Sequence, residues 1–459
     1  MAVIVNKNLT TQPKKILRGI GHPLGFDLAL FIFGVNLSLT LILAIWSTTK
    51  NDYNSFYSLI LTFSRLAAVT GTYLSLVGLI LIARVPIIEK SLGHDKLIRL
   101  HRYLAPYALY LIFLHVLLVS ISYAYSDKMA TYKEIYQLIT KYPWVLEAAL
   151  AFILMITAGV TSYKKARKKL SYELWWIIHT STYLALALGF MHQVKNGPIF
   201  LSHPLNKYYW IFLYLTTIIS LLTFRLLIPL GNSLRYNLKV EEVKKENNDI
   251  LSLIISGRNL VKLKAKGGQF FSWRFFSKGH WITAHPYSLS ASPRKNYLRI
   301  TVKILGDHSA NLLHLKKGTR VFIEGPYGTF VIEKAKNSEI ILVAGGVGIT
   351  PIRALLDEMP SSKNVTLLYR VSNTQELIFQ NELSLFAEKR NLKIHYLVGS
   401  RKEHPMSKDY LLKLLPNLKN SEIYLCGPKS LVKKVTLSAL EAGVPINHIH
   451  QEEFEYHAK

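Results

Sequence analysis

The chain has 459 residues, enough for two or three domains, and half of them are hydrophobic. Lys and Arg number 56 against 28 Asp and Glu, and this excess favours an anionic partner such as phosphate ligands, a membrane surface or nucleic acid. The single cysteine, Cys426, excludes an intrachain disulfide, a cysteine-ligated iron–sulfur cluster and a thiolate zinc site.

The first half of the chain contains six apolar runs of membrane length. A helix needs about 20 apolar residues to cross about 30 Å of hydrocarbon. Six such runs joined by short loops predict membrane spans rather than buried helices of a soluble protein. They are Leu24–Trp46, Tyr57–Ala83, Tyr103–Ser120, Pro143–Ser162, Leu174–His192 and Tyr208–Leu230.

Basic residues are concentrated in the N-terminal tail and in the second and fourth loops. Positively charged loops stay on the cytoplasmic side, so both termini are predicted to be cytoplasmic in a multi-pass cell-membrane protein. The run "KKARKK" at 164–169 is interpreted as a feature of topology and lipid contact. No nucleic-acid partner is expected.

The pattern changes at about Asn232. Short alternating runs such as "ILSLIIS" and "YLRITVKI" predict a small antiparallel β-barrel. From about Asn337, strands alternate with helical stretches, which predicts a parallel sheet of βαβ units. The predicted domains are an N-terminal segment, a six-helix membrane bundle, a barrel and an α/β domain, at 1–23, 24–231, 232–336 and 337–459.

Four histidines lie in or beside two of the apolar runs. His101 and His115 belong to the third run and His179 and His192 to the fifth, and each pair spans about 20 Å along a helix. Two imidazole pairs at two depths are what two stacked b-type haems require. On an ideal helix His179 and His192 point about 140° apart, which a tilt or distortion would have to absorb. The alternative is that each histidine packs locally or hydrogen-bonds to a carbonyl.

Arg65, in "LTFSRLAAV", is the other costly residue within a predicted span. An intramembrane arginine marks a candidate functional site. It lies near the depth of His115, where a haem propionate or an anionic oxygen species could balance its charge. A snorkelling side chain or a helix-packing hydrogen bond is the alternative.

The segment "SEIILVAGGVGITPIRALL" predicts a strand, a glycine turn and a helix that begins at Pro351. Glycines in such a turn let backbone amides approach a pyrophosphate. The next two strand ends supply Arg370 and then Ser400 and Arg401. Positive charge there favours a 2′-phosphate, and therefore NADPH over NADH, although ordinary surface arginines would look the same.

Two segments of the predicted barrel suit a flat heteroaromatic ligand with phosphates. "HPYSLSASP" carries Tyr287 beside hydroxyl groups, and "VKILGDHSANL" carries Lys303 and the Gly306–Ser309 turn. Each segment could equally be an ordinary strand and turn.

Together these motifs resemble the ferredoxin–NADP reductase family over Leu238–Lys459, through "HPYSLS", "GDHSANL", "GPYGTF", "AGGVGITP", "YLCGP" and "HQEEFEY". The membrane half is similar to the ferric reductase transmembrane domain through its paired histidines. The whole chain resembles a bacterial-type NADPH oxidase of the ferric reductase superfamily. The resemblance implies that an aromatic side chain, Phe454 or less readily Tyr456, covers the flavin ring.

The resemblance also implies cofactor ligands. The expected haem ligands are His101, His115, His179 and His192. The expected FAD ligands are His285, Pro286, Tyr287, Ser288, Val302, Lys303, Gly306, Asp307, Ser309 and Phe454. The expected NADPH ligands are Gly345, Gly346, Gly348, Thr350, Pro351, Arg370, Ser400, Arg401, Cys426, Gly427 and Pro428. Arg65, Phe454 and Cys426 are expected at the reacting centres, with Cys426 as a packing residue beside the nicotinamide.

The implied reaction carries electrons from cytoplasmic NADPH through FAD, an inner haem and an outer haem to a small acceptor on the outer side. Dioxygen, giving superoxide, is the first expectation, and ferric iron or a ferric chelate is the second. A membrane cytochrome that serves a protein partner is a third interpretation, and a flavin reductase anchored by haem-free spans is a fourth. No obligatory protein partner is expected.

Overall fold

The computed structural model describes residues 23–277, 280–281 and 284–454. They form two compact units: a helical unit, Pro23–Leu226, and a β-rich unit that begins at Leu227. The predicted N-terminal basic segment and Tyr456 lie outside the described residues.

Six helices of the described chain are long and apolar enough to cross a membrane, as the sequence predicts. Spans 1 to 6 are Pro23–Trp46, Phe56–Ile82, His94–Ser126, Val145–Ser162, Tyr172–Asn196 and Pro204–Tyr236, the last containing a π-helical turn at Leu222–Leu227. Shorter helices in the loops are Lys50–Tyr53, Pro86–Leu92, Thr131–Lys141, Lys164–Arg167 and Pro198–Ser202. Large apolar side chains face outward along the spans, which suits contact with lipid: Phe31, Ile42, Phe63, Ile153 and Phe212 are examples.

Span 3 is longer than its apolar run. The prediction of Tyr103–Ser120 is short at both ends, because the helix covers His94–Ser126. Charged residues such as Arg99 and Arg102 end the apolar pattern without ending the backbone hydrogen bonds of the helix. His101 therefore lies inside the helix, two residues before the predicted apolar run.

Neighbouring spans pack antiparallel and closely. A Cβ atom on Gly71 of span 2 would lie 2.9 Å from Ile112 Cγ1 and 3.2 Å from Ala108 O of span 3, so this glycine permits the approach. Spans 1 and 6 are joined by the Asn206 side chain, whose Nδ2 donates to Leu43 O at 3.2 Å. We call the end where span 1 begins and span 2 ends the near end, and the opposite end the far end.

The β-rich unit begins with two three-stranded antiparallel sheets. One has the order β1-β2-β5, with β1 Lys239–Lys245, β2 Ile250–Ser256 and β5 Tyr297–Lys303. The other has the order β4-β3-β6, with β3 Phe270–Phe275, β4 His285–Ser288 and β6 Val321–Tyr327. Buried side chains of both sheets, including Leu253, Trp273 and Ile300, form one core. Strand β3 was missing from the prediction, because its run "FFSWRF" is buried on both faces and shows no alternation.

The rest of the unit is a five-stranded parallel sheet of order β11-β10-β7-β8-β9. Its strands are β7 Glu339–Gly345, β8 Asn364–Val371, β9 Leu392–Val398, β10 Glu422–Pro428 and β11 Ile449–Phe454, and its helices are Ile349–Glu358, Gln380–Lys389, Lys408–Leu414 and Lys429–Glu441. The predicted fold class is confirmed: a six-helix membrane bundle followed by an antiparallel barrel and a parallel α/β sheet. The helix expected from Pro351 begins two residues earlier, at Ile349.

A network of charges joins the barrel to the parallel-sheet domain within this unit. Arg299 of β5 makes two hydrogen bonds to the Glu382 carboxylate, at 2.7 and 3.0 Å. Glu382 also accepts from Arg353 Nε at 2.6 Å, and Arg353 pairs with Asp357. Burial alone would raise the pKa of Glu382, but the two arginines hold it below its ordinary value.

Candidate functional site

The four membrane histidines form two pairs. At the near end, the rings of His101 and His179 have centroids 6.1 Å apart and planes at 82°. One metal ion between two imidazoles needs about 6 Å between centroids, from two bonds of about 2 Å plus the ring radii. His115 and His192 lie farther along the same two spans, close enough to interact electrostatically. Span 5 carries its two histidines on one continuous α-helix.

Hydrogen bonds fix the tautomer of three of these imidazoles. His101 Nδ1 lies 3.0 Å from Gly78 O, and a carbonyl can only accept, so Nδ1 carries the proton. His115 Nδ1 lies 3.2 Å from Ser64 O and 2.9 Å from Ser64 Oγ, whose own proton goes to His115 O. In both residues Nε2 is therefore unprotonated, as an axial metal ligand must be.

The same logic applies to His179. Ser162 Oγ donates its proton to Ala158 O at 2.7 Å and accepts from Trp175 Nε1 at 3.1 Å. Its remaining lone pair faces His179 Nδ1 at 3.2 Å, so Nδ1 is the donor and Nε2 is free to bind metal. Partners that accept the Nδ1 proton in this way hold an imidazole in the tautomer and orientation that a histidine-ligated haem iron requires.

His192 differs from the other three. Its Nδ1 lies 3.3 Å from the Asn196 amide nitrogen, which also donates to Pro143 O at 2.5 Å. An amide nitrogen is a donor, so this contact does not by itself leave Nε2 unprotonated. The fit to a metal-binding tautomer is thus supported for three ligands of the four.

An aromatic and cationic stack surrounds His179 at the near end. The Trp175 ring stacks on the His179 imidazole, with centroids 4.9 Å apart and planes at 19°. The Arg167 guanidinium, in the basic run 164–169, lies 4.7 Å from the Trp175 ring centroid. These contacts restrict the orientation of the imidazole.

Arg65 forms an ion pair. Its Nη1 donates to Asp52 Oδ1 at 2.6 Å, with the two side chains 25% and 19% exposed. Burial acts to raise the pKa of Asp52, but hydrogen bonds from Thr49 and the Arg65 charge lower it overall. The sequence analysis did not foresee this carboxylate partner of Arg65. Arg65 lines a narrow far-end cleft together with Ser47, Thr48, Thr62 and Pro198.

Strand β4 brings the expected flavin residues His285, Pro286, Tyr287 and Ser288 to one edge of the barrel. The His285 and Tyr287 rings are nearly parallel, with centroids 6.4 Å apart, and burial raises the pKa of Tyr287. His308 packs against His285, with ring centroids 3.6 Å apart. Pro286 is exposed and Ser288 is buried.

His308 is the best indication of a ligand at this edge. Both of its ring nitrogens are buried without a hydrogen-bond partner among the described residues. Burial, with the nearby imidazoles of His285 and His280, lowers the pKa of His308 to about 3. Orphaned ring nitrogens beside β4 fit a polar group such as a flavin phosphate.

The other expected flavin residues are distributed around the same segment. Ser309 Oγ accepts from the Leu305 and Gly306 amides at 2.9 and 3.2 Å and so closes the turn. Lys303 Nζ lies 3.7 Å from Glu376 of the parallel-sheet domain, and Val302 is buried in the barrel core. The backbone of Asp307 begins the helix Asp307–Asn311.

The glycine turn follows β7 at the carboxyl edge of the parallel sheet, where such sheets bind ligands. A Cβ atom on Gly348 would lie 2.3 Å from Cys426 O, so only glycine allows the turn to lie against β10. Gly346 has φ +55°, a second position that favours glycine. Gly345 contacts Gly427 and Pro428 in the same way, while Thr350 and Pro351 are buried in the helix behind the turn. These close approaches fit a phosphate-binding loop.

Arg370 and Arg401 meet at the ends of β8 and β9. Burial and the neighbouring Arg401 charge lower the pKa of Arg370. Arg401 Nη2 lies 3.2 Å from Ser430 Oγ, and Ser400 Oγ donates to Glu403 at 2.9 Å. This cluster has the donors and the charge to hold a phosphate.

Cys426 is fully buried in β10, and burial beside Glu452 raises the pKa of its thiol well above the ordinary value. A buried, protonated thiol fits a packing role. Phe454 is the last residue of β11, next to Pro428 in the register.

The sequence reasoning missed the partners of the histidines. Ser64 and Ser162 lie in apolar spans, where a serine is common and carries no distinct signal. Of these partners, Trp175 could have been predicted, because it lies four residues before His179 and side chains at i and i+4 share a helix face. Asp52 and His308 have no local signal that connects them with Arg65 or His285.

Comparison with protein families gives three matches. Residues 67–190 match a model described as "Ferric reductase like transmembrane component", 235–331 match an "FAD-binding domain", and 342–436 match an "Oxidoreductase NAD-binding domain". The first match includes His101, His115 and His179 and ends two residues before His192.

Curated relatives share the reductase module. The chain is 31% identical over 188 residues to Flavohemoprotein A of Dictyostelium discoideum, covering 37% of this chain and 46% of the relative. It is 31% identical over 241 residues to the 3-ketosteroid-9-alpha-monooxygenase ferredoxin reductase component of Mycolicibacterium smegmatis, covering 50% and 67%. The chain spans about half the length of the flavohemoproteins that it matches.

Solved structures with a similar fold include the FAD/NAD binding domain of nitric oxide dioxygenase from Vibrio cholerae, at 23% identity and a TM-score of 0.41. That match covers 47% of this chain and 98% of the other. The ferredoxin-NADP+ reductase of Plasmodium falciparum matches at 24% identity and a TM-score of 0.40, covering 47% and 95%.

Proposed function

We propose that this chain, which belongs to the ferric reductase superfamily, transfers electrons across a membrane. The electrons come from NADPH and pass to an acceptor on the far side. The observation that carries the proposal is the set of histidine tautomers. Three imidazoles on two parallel spans have Nδ1 protons assigned by their neighbours, which leaves Nε2 available to bind iron. Local packing alone does not require that arrangement.

When bound, FAD would accept a hydride from NADPH, and two b-type haems would carry the electrons singly through the bundle. His101 and His179 would hold the near-end haem, and His115 and His192 the far-end haem. NADPH loses two electrons and one proton, so each turnover reduces two molecules of a one-electron acceptor.

The chain's own residues bind and orient the nucleotides. Gly345, Gly346 and Gly348 allow backbone amides to approach a pyrophosphate, and Arg370 and Arg401 would pair with a 2′-phosphate. That pair favours NADPH, while NADH lacks the group they bind. Tyr287 and His285 present a ring edge and a polar group to a flavin, and Phe454 would cover its other face.

Dioxygen reduced to superoxide is the acceptor that we favour. The far-end cleft beside Arg65 has room for about one water-sized molecule at most, so it suits a small acceptor better than a ferric chelate. The Arg65 guanidinium, although paired with Asp52, would still present N–H donors to a superoxide anion. The match to a ferric reductase component supports a second candidate, the reduction of a ferric chelate by outer-sphere transfer.

The proposed location is the cell membrane, with both termini cytoplasmic. Basic residues in the loops at the near end support this orientation. The domain boundaries proposed from sequence, at about 23, 231 and 336, separate the membrane bundle from the two reductase domains. No obligatory protein partner is proposed.

The test uses purified full-length protein. Reduced-minus-oxidised spectra should show b-type haem, and absence of a Soret shift would remove the electron path. NADPH oxidation is then measured under air and with a ferric chelate, each with and without superoxide dismutase. We expect His115→Leu to abolish reduction of far-side acceptors while NADPH still reduces the flavin. Full far-side activity in that variant would contradict the assignment.

A further inference from the structure

In the far-end cleft, the positive charge of Arg65 is balanced by the carboxylate of Asp52. Among the described residues that line the cleft, Arg65 is the one with an ionisable side chain, and its Nη1 lies 2.6 Å from Asp52 Oδ1. The other carboxylate oxygen accepts from the Thr49 amide and hydroxyl, each at 2.8 Å. Thr62 Oγ1 donates to Asp52 O at 3.2 Å. Both oxygens of Asp52 are thus held, and its charge faces Arg65.

This ion pair is close in sequence and space to a histidine of the far-end pair. Ser64, which precedes Arg65 on span 2, contacts His115 Nδ1 through both its hydroxyl and its carbonyl. The side chain of Ser64 is fully buried, so span 2 is held against span 3 at this point. An acceptor in the cleft is therefore next to the element that holds His115.

We infer that Asp52 is a specificity-determining residue, which keeps the acceptor cleft close to electrically neutral so that anionic ferric chelates are not concentrated at its mouth in competition with an uncharged acceptor. The inference rests on the proposed function. An isolated arginine near the surface would attract anions by Coulomb interaction and raise their local concentration. Paired with a carboxylate at hydrogen-bond distance, the same guanidinium still presents donors but little net charge.

The effect is large enough to measure with trivalent probes. One uncompensated charge about 8 Å from a trivalent ion in water changes the local concentration of that ion, and so its rate of reduction, by about tenfold at low ionic strength. Screening over a Debye length of about 8 Å reduces this to about twofold to threefold at physiological salt. Opposite probe charges must respond in opposite directions.

The experiment uses sealed right-side-out membrane vesicles that contain the full-length holoprotein and enclosed NADPH. External ferricyanide, a trianion, and hexaammineruthenium(III), a trication, each accept one electron and do not cross the membrane. Asp52→Asn should speed ferricyanide reduction and slow hexaammineruthenium reduction, by about tenfold each at low salt. Arg65→Gln leaves the carboxylate uncompensated and should reverse both changes, so the inference stays testable if one variant misfolds.

A matched control removes the same charge elsewhere at the far end. Asp127 follows span 3 and is exposed, and it is not among the residues that line the cleft. If Asp127→Asn shifts the ratio of the two rates as much as Asp52→Asn, or if neither cleft variant shifts it, the inference is overturned while electron transfer stands. If the wild-type vesicles reduce neither probe, the proposed function fails as well.

Discussion

The near-end histidine partner gives the sharpest prediction. Ser162→Ala removes the oxygen that accepts from both His179 Nδ1 and Trp175 Nε1. Ser64→Ala is the matched control in span 2, because His115 Nδ1 keeps Ser64 O at 3.2 Å after the hydroxyl is lost. Both substitutions remove a serine hydroxyl, but His179 Nδ1 then has no acceptor from this residue while His115 Nδ1 keeps one.

Loss of a second-shell partner weakens metal binding by about 10- to 100-fold. Ser162 is exposed at the end of span 4, where water can replace part of the lost bond, so the lower value applies. We therefore expect about tenfold weaker retention of the near-end haem, or about 1.4 kcal/mol. Ser64→Ala should change far-end retention by less than about twofold, because one acceptor remains.

Haem transfer to excess apomyoglobin measures retention, and a redox titration followed by absorbance measures both midpoint potentials. An imidazole without its Nδ1 acceptor is a less basic ligand and favours the ferrous state, so the near-end potential should rise in Ser162→Ala. Equal retention in the two serine variants, or a greater loss in Ser64→Ala, would refute the assignment of tautomers. Trp175→Phe keeps an aromatic ring and the Ser162 hydroxyl, and it should resemble wild type.

Two further predictions concern the β-rich unit. Arg401→Ala should raise the KM for NADPH by about 10- to 100-fold through loss of a charged contact, with the KM for NADH unchanged as its internal control. An equal rise for both nucleotides would argue against a 2′-phosphate site. Glu382→Gln should lower the free energy of unfolding by about 1 to 2 kcal/mol at pH 7, since Glu382 is partly exposed. The folded pKa of Glu382 is depressed, so the wild-type advantage is fully present above the ordinary glutamate pKa and is lost as the pH falls through the lower, folded pKa. Urea unfolding at pH 7 and at about pH 3 measures the difference, and a constant gap would contradict the role of the ion pair.

Local patterns determined much of this protein. Hydrophobic length predicts a span because each helix must cover the same hydrocarbon thickness, whatever its neighbours are. Alternation and glycine turns likewise predicted the strands of the barrel and the parallel sheet, since side-chain periodicity follows from backbone geometry. The spacing of His101 and His115 needed only the rise of a helix. At the start of span 3, charged residues interrupt the apolar pattern although the helical hydrogen bonds continue, so the predicted span is shorter than the helix.

Tertiary structure decided which group each functional side chain meets. Gly78 and Ser64 contact His101 and His115 from another span, and Asp52 reaches Arg65 from a loop. The stack of His308 on His285 joins residues more than 20 positions apart. Such contacts depend on how helices and strands pack, and packing follows from the shapes of many side chains together rather than from any short segment. The sequence therefore identified the four histidines, and only the packed bundle assigned the Nδ1 protons of three of them.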